Sequence, residues 1–181
     1  TAIDNLPEYI DEVKSVAEKE KLSIQANIAD VTQLQTDGYF DVCICMGDSF
    51  SFFNEADALR VLANVLESLK PSGYFIINSS LISEIIIRNF KEKNWFYVDG
   101  YKYLIDNKYL FRPTRVETDH IIIAPDGETE LIKGIDYIFS FSEMEELLRK
   151  AGFEVREIYS TPRKRKYRFG DNQAYIVAEK S

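Results

Sequence analysis

The sequence predicts an α/β fold built on an open, mostly parallel sheet, and three observations carry that reading. Helical and strand periodicities alternate from Ile10 to Ile77 with short connections, which calls for right-handed crossovers. The run FDVCICM, Phe40 to Met46, is apolar at nearly every position, the pattern of a strand covered on both faces. The chain then closes as helix, strand, strand between Ser142 and Glu179.

Each element has a local reason. Asn5-Leu6-Pro7-Glu8 offers an N-cap, a first-turn proline and an early acid, and Ile10, Val13, Val16 and Ala17 follow at helical spacing. Leu22 to Ile28 alternates toward Asp30 and reads as a strand. Ala56 to Leu69 reads as a helix with Leu59, Leu62, Ala63, Leu66 and Leu69 as its apolar stripe. Lys70-Pro71-Ser72-Gly73 stops it, and Tyr74 to Ile77 is the next buried strand.

After Asn94 the texture changes. Trp95 to Tyr103, Tyr109 to Ile123 and Thr129 to Phe139 read as antiparallel strands, with turns at Asp106-Asn107 and at Pro125-Asp126-Gly127-Glu128. Ser142 to Lys150 is a helix with Ser142 to Glu145 as its capping box and Gly152 at its end. Three regions are therefore expected: a core over 1–94, an antiparallel insertion over 95–139, and a closing helix with two strands over 140–181.

Bulk properties narrow the function classes. At 181 residues the chain holds one sizeable core, and 45% hydrophobic with 29% charged residues is ordinary for a globular protein. A net charge of −8 disfavours nucleic acid and anionic membranes as partners. No apolar run approaches the roughly 20 residues needed to cross a bilayer. Cys43 and Cys45, the only 2 cysteines, share one strand face and read as small buried thiols, which suits a reducing, cytoplasmic compartment. With 1 histidine, His120, a zinc site lacks ligands, so no metal is expected.

The polar tip Gly47-Asp48-Ser49 interrupts an otherwise greasy stretch, and that interruption marks a candidate site. Taken in order, TAID with its following helix, NIAD, FDVCICMGDSF, LESLKPSGYFIINSS, AGFEVREIYS and NQAYIVAEK resemble the class I S-adenosylmethionine-dependent methyltransferases over nearly the whole chain. The resemblance implies a Rossmann-like methyltransferase sheet, mostly parallel with its last strand antiparallel, plus the antiparallel β insertion of the small-molecule enzymes. It implies S-adenosyl-L-methionine along the carboxyl ends of the parallel strands.

Residue by residue, the resemblance assigns Asp4, with its neighbour Asn5, to the ribose, where a carboxylate offers two acceptor oxygens to a vicinal diol. Asp30 falls at the adenine edge, and Val31 supplies a backbone N–H and an apolar wall. Met46 and Gly47 end the central strand against the methionine part, glycine allowing close backbone approach. Asp48 and Ser49 face the reacting end, with Asp48 the candidate base if the nucleophile must shed a proton. Phe50, Phe52 and Phe53 either wall the transfer channel or pack under the next helix. Tyr101 and Tyr103 belong to a lid over a small-molecule acceptor, or simply to sheet packing. Read without the resemblance, Asp4 and Asp30 are equally turn or strand-end acids, and His120 is structural.

One family feature departs. The eight glycines are never closer than seven residues, so the glycine-rich loop has no counterpart, and a first strand, loop and helix are expected to precede Thr1. Three rival functions follow. A dehydrogenase also uses a strand-end acid but needs that same loop and not the closing strand pair. A nucleic-acid methyltransferase is suggested by Pro162 to Arg168, five cations in seven residues, which otherwise read as a solvated loop. Against it stand the net charge and the MGDSF tip, which differs from the (D/N)PP(Y/F) tip that grips a flipped base. The third is a non-catalytic binding scaffold of the same fold.

Overall fold

The computed structural model describes residues 1–35 and 38–181. The chain runs β1 (Ala2–Asp4), α1 (Pro7–Lys19), β2 (Ala26–Ile28), β3 (Phe40–Cys45), α2 (Glu55–Ser68), β4 (Leu69–Ser79) and α3 (Ser83–Asn89). Then come β5 (Lys93–Val98), β6 (Tyr101–Phe111), β7 (Thr114–Ile123), β8 (Thr129–Tyr137), α4 (Phe141–Lys150), β9 (Phe153–Tyr159) and β10 (Ala174–Lys180).

These strands form three sheets. β1 and β2 pair in parallel; β3-β4-β10-β9 is a mixed sheet; β5-β6-β7-β8 is an antiparallel meander. In the mixed sheet β3 lies parallel to β4, and β10 runs antiparallel to both β4 and β9, the arrangement expected for the closing strands.

The core lies on one face of the mixed sheet. Phe75 and Ile77 of β4 and Ile176 and Ala178 of β10 meet Ala58, Leu62 and Val65 of α2 and Met144, Leu147 and Leu148 of α4, all buried. Each large side chain fully removed from water there contributes about 1.5–3 kcal/mol. Asn54 caps α2 by accepting from the Asp57 N–H at 3.0 Å. Lys180 Nζ, from the last strand, donates to the Leu66 and Leu69 carbonyls at 2.6 and 2.7 Å and satisfies the other end of the same helix.

Several local expectations need correcting. The buried stripe of α2 is Ala58, Val61, Leu62 and Val65, with Ala63 exposed, because the helix is apolar on two adjoining faces and tertiary packing chooses between them. The capping box of α4 is Ser140 with Glu143, not Ser142: Glu143 accepts from the Ser140 N–H at 2.7 Å and the Ser140 hydroxyl accepts from the Glu143 N–H at 3.2 Å. At α1 the cap position is Leu6, with no side-chain cap bond from Asn5. β2 spans only Ala26–Ile28, and α3 was not anticipated. The insertion has four strands rather than three. Asp99-Gly100 makes the first hairpin, since both residues take left-handed φ values, 50° and 84°. β6 runs straight through Asp106-Asn107.

β3 also differs from the expectation of cover on both faces. It pairs with β4 alone, at the end of its sheet, and Val42 and Ile44 are 49% and 66% exposed. Its other face, with Cys43 and Cys45, packs against the core.

Candidate active site

The polar residues singled out by the sequence each stand at or just beyond the carboxyl end of a parallel strand, β1, β2 or β3. Asp4 ends β1, and its Oδ1 accepts the Leu6 N–H at 2.9 Å, turning the chain into α1. Its second oxygen has no partner among the described residues. Asn5 stands exposed beside it. The Asp4 carbonyl accepts the Ala29 N–H at 2.9 Å, which holds the ends of β1 and β2 together.

Asp30 begins a single 3-10 turn over Val31–Gln33. Its Oδ1 accepts from the Thr32 N–H and hydroxyl at 2.8 and 2.7 Å, and its Oδ2 from the Gln33 amide at 3.1 Å. The Thr32 hydroxyl above all, then the Thr32 N–H, holds this carboxyl below its ordinary pKa. Val31 packs against the core, and its carbonyl accepts the Asn64 side-chain amide at 2.8 Å, so α2 fixes the turn.

The tip of β3 is the most densely bonded place in the site. Gly47 and Asp48 both take left-handed φ values, 67° and 65°, so the chain reverses in two residues. A side-chain carbon added at Gly47 would touch nothing within 4 Å, leaving open space above the backbone. Asp48 Oδ1 accepts from the Ser79 hydroxyl at 2.8 Å, the Ser80 N–H at 2.5 Å and the Leu81 N–H at 3.3 Å, while Oδ2 accepts the Ser80 hydroxyl at 2.8 Å. Ser49 donates to the Met46 carbonyl at 2.8 Å. Asn78 bridges the sheet: its oxygen accepts from the Gly47 N–H at 3.4 Å and its amide donates to the Ala174 carbonyl at 3.2 Å.

Ser51 links this tip to the antiparallel sheet. Its hydroxyl oxygen lies 2.7 Å from the Asp48 carbonyl and 2.6 Å from Asp136 Oδ1 on β8. Of the three phenylalanines, Phe50 is buried and Phe53 packs beside it at 6.3 Å, whereas Phe52 is 64% exposed.

The structure does not bring every expected residue to this place. By register Tyr101 and Tyr103 share a sheet face with Asp136, but at the opposite end of the meander. Tyr103 lies level with Glu130, six residues along β8 from Asp136, or about 20 Å at strand rise. Asn78, Ser79, Ser80, Ser51 and Asp136 were not anticipated. The polar run Asn78-Ser79-Ser80 directly after the buried FII of β4 is the signal that marks the first three; Asp136 carries none beyond being an acid on the inward face of its strand. His120 sits on β7 with its ring against Gly134 of β8.

Among the described residues no cluster of acids, histidine and cysteines could hold a metal ion. Burial pushes the Cys45 thiol up to about 11, so it is a neutral packing group and no nucleophile. Among the described residues no helix is long and apolar enough to cross a membrane.

Comparison with known proteins bears on this arrangement. A family model described as a methyltransferase domain matches residues 1–73, the segment that holds Asp4, Asp30 and the β3 tip. The CcbJ methyltransferase of Streptomyces caelestis superposes with a TM-score of 0.86 at 13% identity, over 99% of this chain and 73% of that one. The chain shares its fold with this solved methyltransferase, and its first 73 residues are similar to a methyltransferase domain. The chain also matches CalS10, an amino pentose methyltransferase from Micromonospora echinaspora solved with S-adenosylmethionine bound. That match has a TM-score of 0.68 at 16% identity, over 99% of this chain and 72% of that one. A glycine/sarcosine/dimethylglycine N-methyltransferase of Actinopolyspora halophila is 29% identical over 156 residues, 80% of this chain. The chain spans about a quarter of the length of that curated relative, 25%.

Proposed function

We propose that this chain binds S-adenosyl-L-methionine along the ends of β1, β2 and β3 and serves methyl transfer to a small molecule. The observation that carries the reading is the Asp4 carboxylate oxygen at the end of β1 that has no partner among the described residues, together with the open space over the Gly47 backbone at the end of β3. When bound, the cofactor supplies an activated methyl group on a sulfonium centre. The chain's own residues do the rest.

Asp4 holds the ribose diol through its unengaged oxygen, while its other oxygen keeps the loop into α1 shaped for that contact. Val31 offers an apolar wall at the adenine, and Asp30 keeps that turn rigid by capping it. Gly47 lets the ligand approach the backbone closely. In-line displacement demands alignment and exclusion of water more than acid–base chemistry. Asp48 meets the first demand: four donors engage its two oxygens, so we assign it to positioning the tip rather than to taking a proton. Phe52 stands exposed beside it as a wall for the acceptor, and Tyr101 and Tyr103 line only the far end of the meander.

An amine is the acceptor class we favour. The relatives' names support it, since one is an N-methyltransferase of glycine and its methylated forms and another acts on an amino pentose. Asp48 and Asp136 add a negative field on the acceptor side. Nucleic acid is disfavoured by the use the Pro162–Arg168 loop makes of its cations: Arg165 pairs with Asp171 at 2.7 Å and Lys166 with Glu157 at 3.3 Å.

Isothermal titration of the intact chain with S-adenosylmethionine tests the reading. Binding that Asp4→Ala weakens by about 1–3 kcal/mol, with the fold intact by circular dichroism, supports it. Binding left unchanged by that substitution removes Asp4 from the site.

A further inference from the structure

Every lysine and arginine in the four strands of the meander lies on one face. Alternation and the unbroken register put Lys93, Lys102, Lys108, Arg115 and Lys133 all on the face opposite to Asp136. The face that Asp136 shares carries rings instead, among them Tyr109, in the same row two strands away. At inter-strand spacing that is about 10 Å, across the buried Val116. An acidic, aromatic surface without cations is one that attracts a cation.

Asp136 is the acid by which that face reaches the β3 tip, and it differs from Asp48. The two oxygens of Asp48 take four donors between them. Asp136 has Oδ1 engaged by Ser51 at 2.6 Å, and its Oδ2 has no partner among the described residues. Ser51 is 4% exposed, so its hydroxyl is held in place by packing. That hydroxyl has one proton to give. The Asp48 carbonyl beside it already accepts the Ser51 N–H at 2.8 Å, so the proton goes to the charged oxygen of Asp136. Arg115, on the adjacent strand, is engaged by Glu117 at 2.8 Å on the other face and does not compete. Asp136 is thus half-buried and fixed by one oxygen, with the other unengaged.

We propose that Asp136 holds the nitrogen of an amine acceptor, its Oδ2 accepting an N–H while the nitrogen lone pair points at the methyl donor. The inference rests on reading the strand ends as a methyl-transfer site. In the transfer a C–N bond forms as the C–S bond breaks, the positive charge passes from sulfur to nitrogen, and the N–H protons stay where they are. A fixed carboxylate beside that nitrogen binds the developing cation more tightly than the neutral amine, which is the condition for speeding the reaction. The same charge repels an anionic acceptor, so Asp136 also sets the substrate class.

Nuclear magnetic resonance of the isotope-labelled intact chain tests the proposal, with methylammonium chloride as the probe. The wild type should show saturable shifts of the Ser51 and Asp136 amide signals at millimolar probe, and none with equal potassium chloride or methanol. Asp136→Asn keeps an oxygen for the Ser51 hydroxyl, so its melting temperature and remaining spectrum should match the wild type. Its affinity for methylammonium should nevertheless fall about tenfold, the loss of one hydrogen bond to a charged group. Asp136→Glu, which restores the charge, should recover the response. Calorimetric titration of the same variants separates this inference from the reading it rests on: Asp136→Asn should bind S-adenosylmethionine within about twofold of the wild type. A wild type that fails to bind S-adenosylmethionine overturns the methyl-transfer reading and with it the role given to Asp136. With that binding intact, no saturable methylammonium shift, or an equal shift in Asp136→Asn, overturns the proposal alone.

Discussion

Ser79 donates its hydroxyl to Asp48 Oδ1 at 2.8 Å, and this bond ties the end of β4 to the end of β3. The same hydroxyl accepts the Leu81 N–H at 2.9 Å, so the loop leading to α3 is held by the carboxylate as well. Removing the carboxylate leaves several donors unpaired. Asp48→Ala should cost about 1–3 kcal/mol in urea denaturation, and the left-handed backbone at this position adds to the loss. Asp48→Asn should cost clearly less, because asparagine keeps one acceptor and tolerates that conformation. Equal losses would show that the bonds to Ser79 and Ser80 are not what stabilises the tip.

Asp30 predicts an acid-side effect. Its pKa is lowered by the Thr32 hydroxyl and N–H, so its contribution to stability is complete above the unfolded value near 4 and fades as pH falls through the folded value. Asp30→Asn should therefore flatten the dependence of the unfolding midpoint on pH below about pH 4. Above about pH 5 that slope should be unchanged. A difference in slope confined to neutral pH would contradict the assignment.

Cys45 should resist alkylation. With its thiol at about 11, the thiolate fraction at pH 8 is smaller than that of a free cysteine by roughly 100-fold. Iodoacetamide labelling followed by mass spectrometry should be slow in buffer and fast in urea. Labelling at the same rate in both would mean that β3 does not bury this thiol.

The cations of the 160s loop divide by their partners. Arg163 and Lys164 have no ion-pair partner among the described residues, and changing both to Ser should leave the unfolding free energy within about 0.5 kcal/mol of the wild type in urea denaturation. Retention of methyl transfer by the same variant is expected too. Salt-dependent RNA binding lost with these two cations would favour a nucleic-acid acceptor instead.

Sequence alone determined the elements whose signal is local. The alternation of helix and strand, the closing order α4-β9-β10 and the placing of Asp30 and Gly47-Asp48 at strand ends follow from hydrophobic period and turn chemistry, which act over a few residues, whereas the placing of Asp4 rested on the family resemblance. Where two local solutions are close in energy, local signal does not decide between them. Ser140 and Ser142 both sit ahead of an acid at capping distance, and α2 could bury either of two adjoining stripes. The hairpin at Asp99-Gly100 was missed because the aromatic run passes through it without a break in apolar character, although Asp-Gly is a strong turn pair.

Only tertiary structure decided what Asp48 touches. Ser79 and Ser80 lie more than 30 residues away in sequence, and Asp136, which reaches Ser51 at the same tip, lies 85 residues from it. Such partners come together because β3 and β4 pair in parallel and β8 returns from the meander to the tip, and no local period encodes that return. The exposure of β5 was equally invisible. A strand of alternating or continuous rings reads the same whether a neighbour covers it or not, and burial is a property of the assembled sheet.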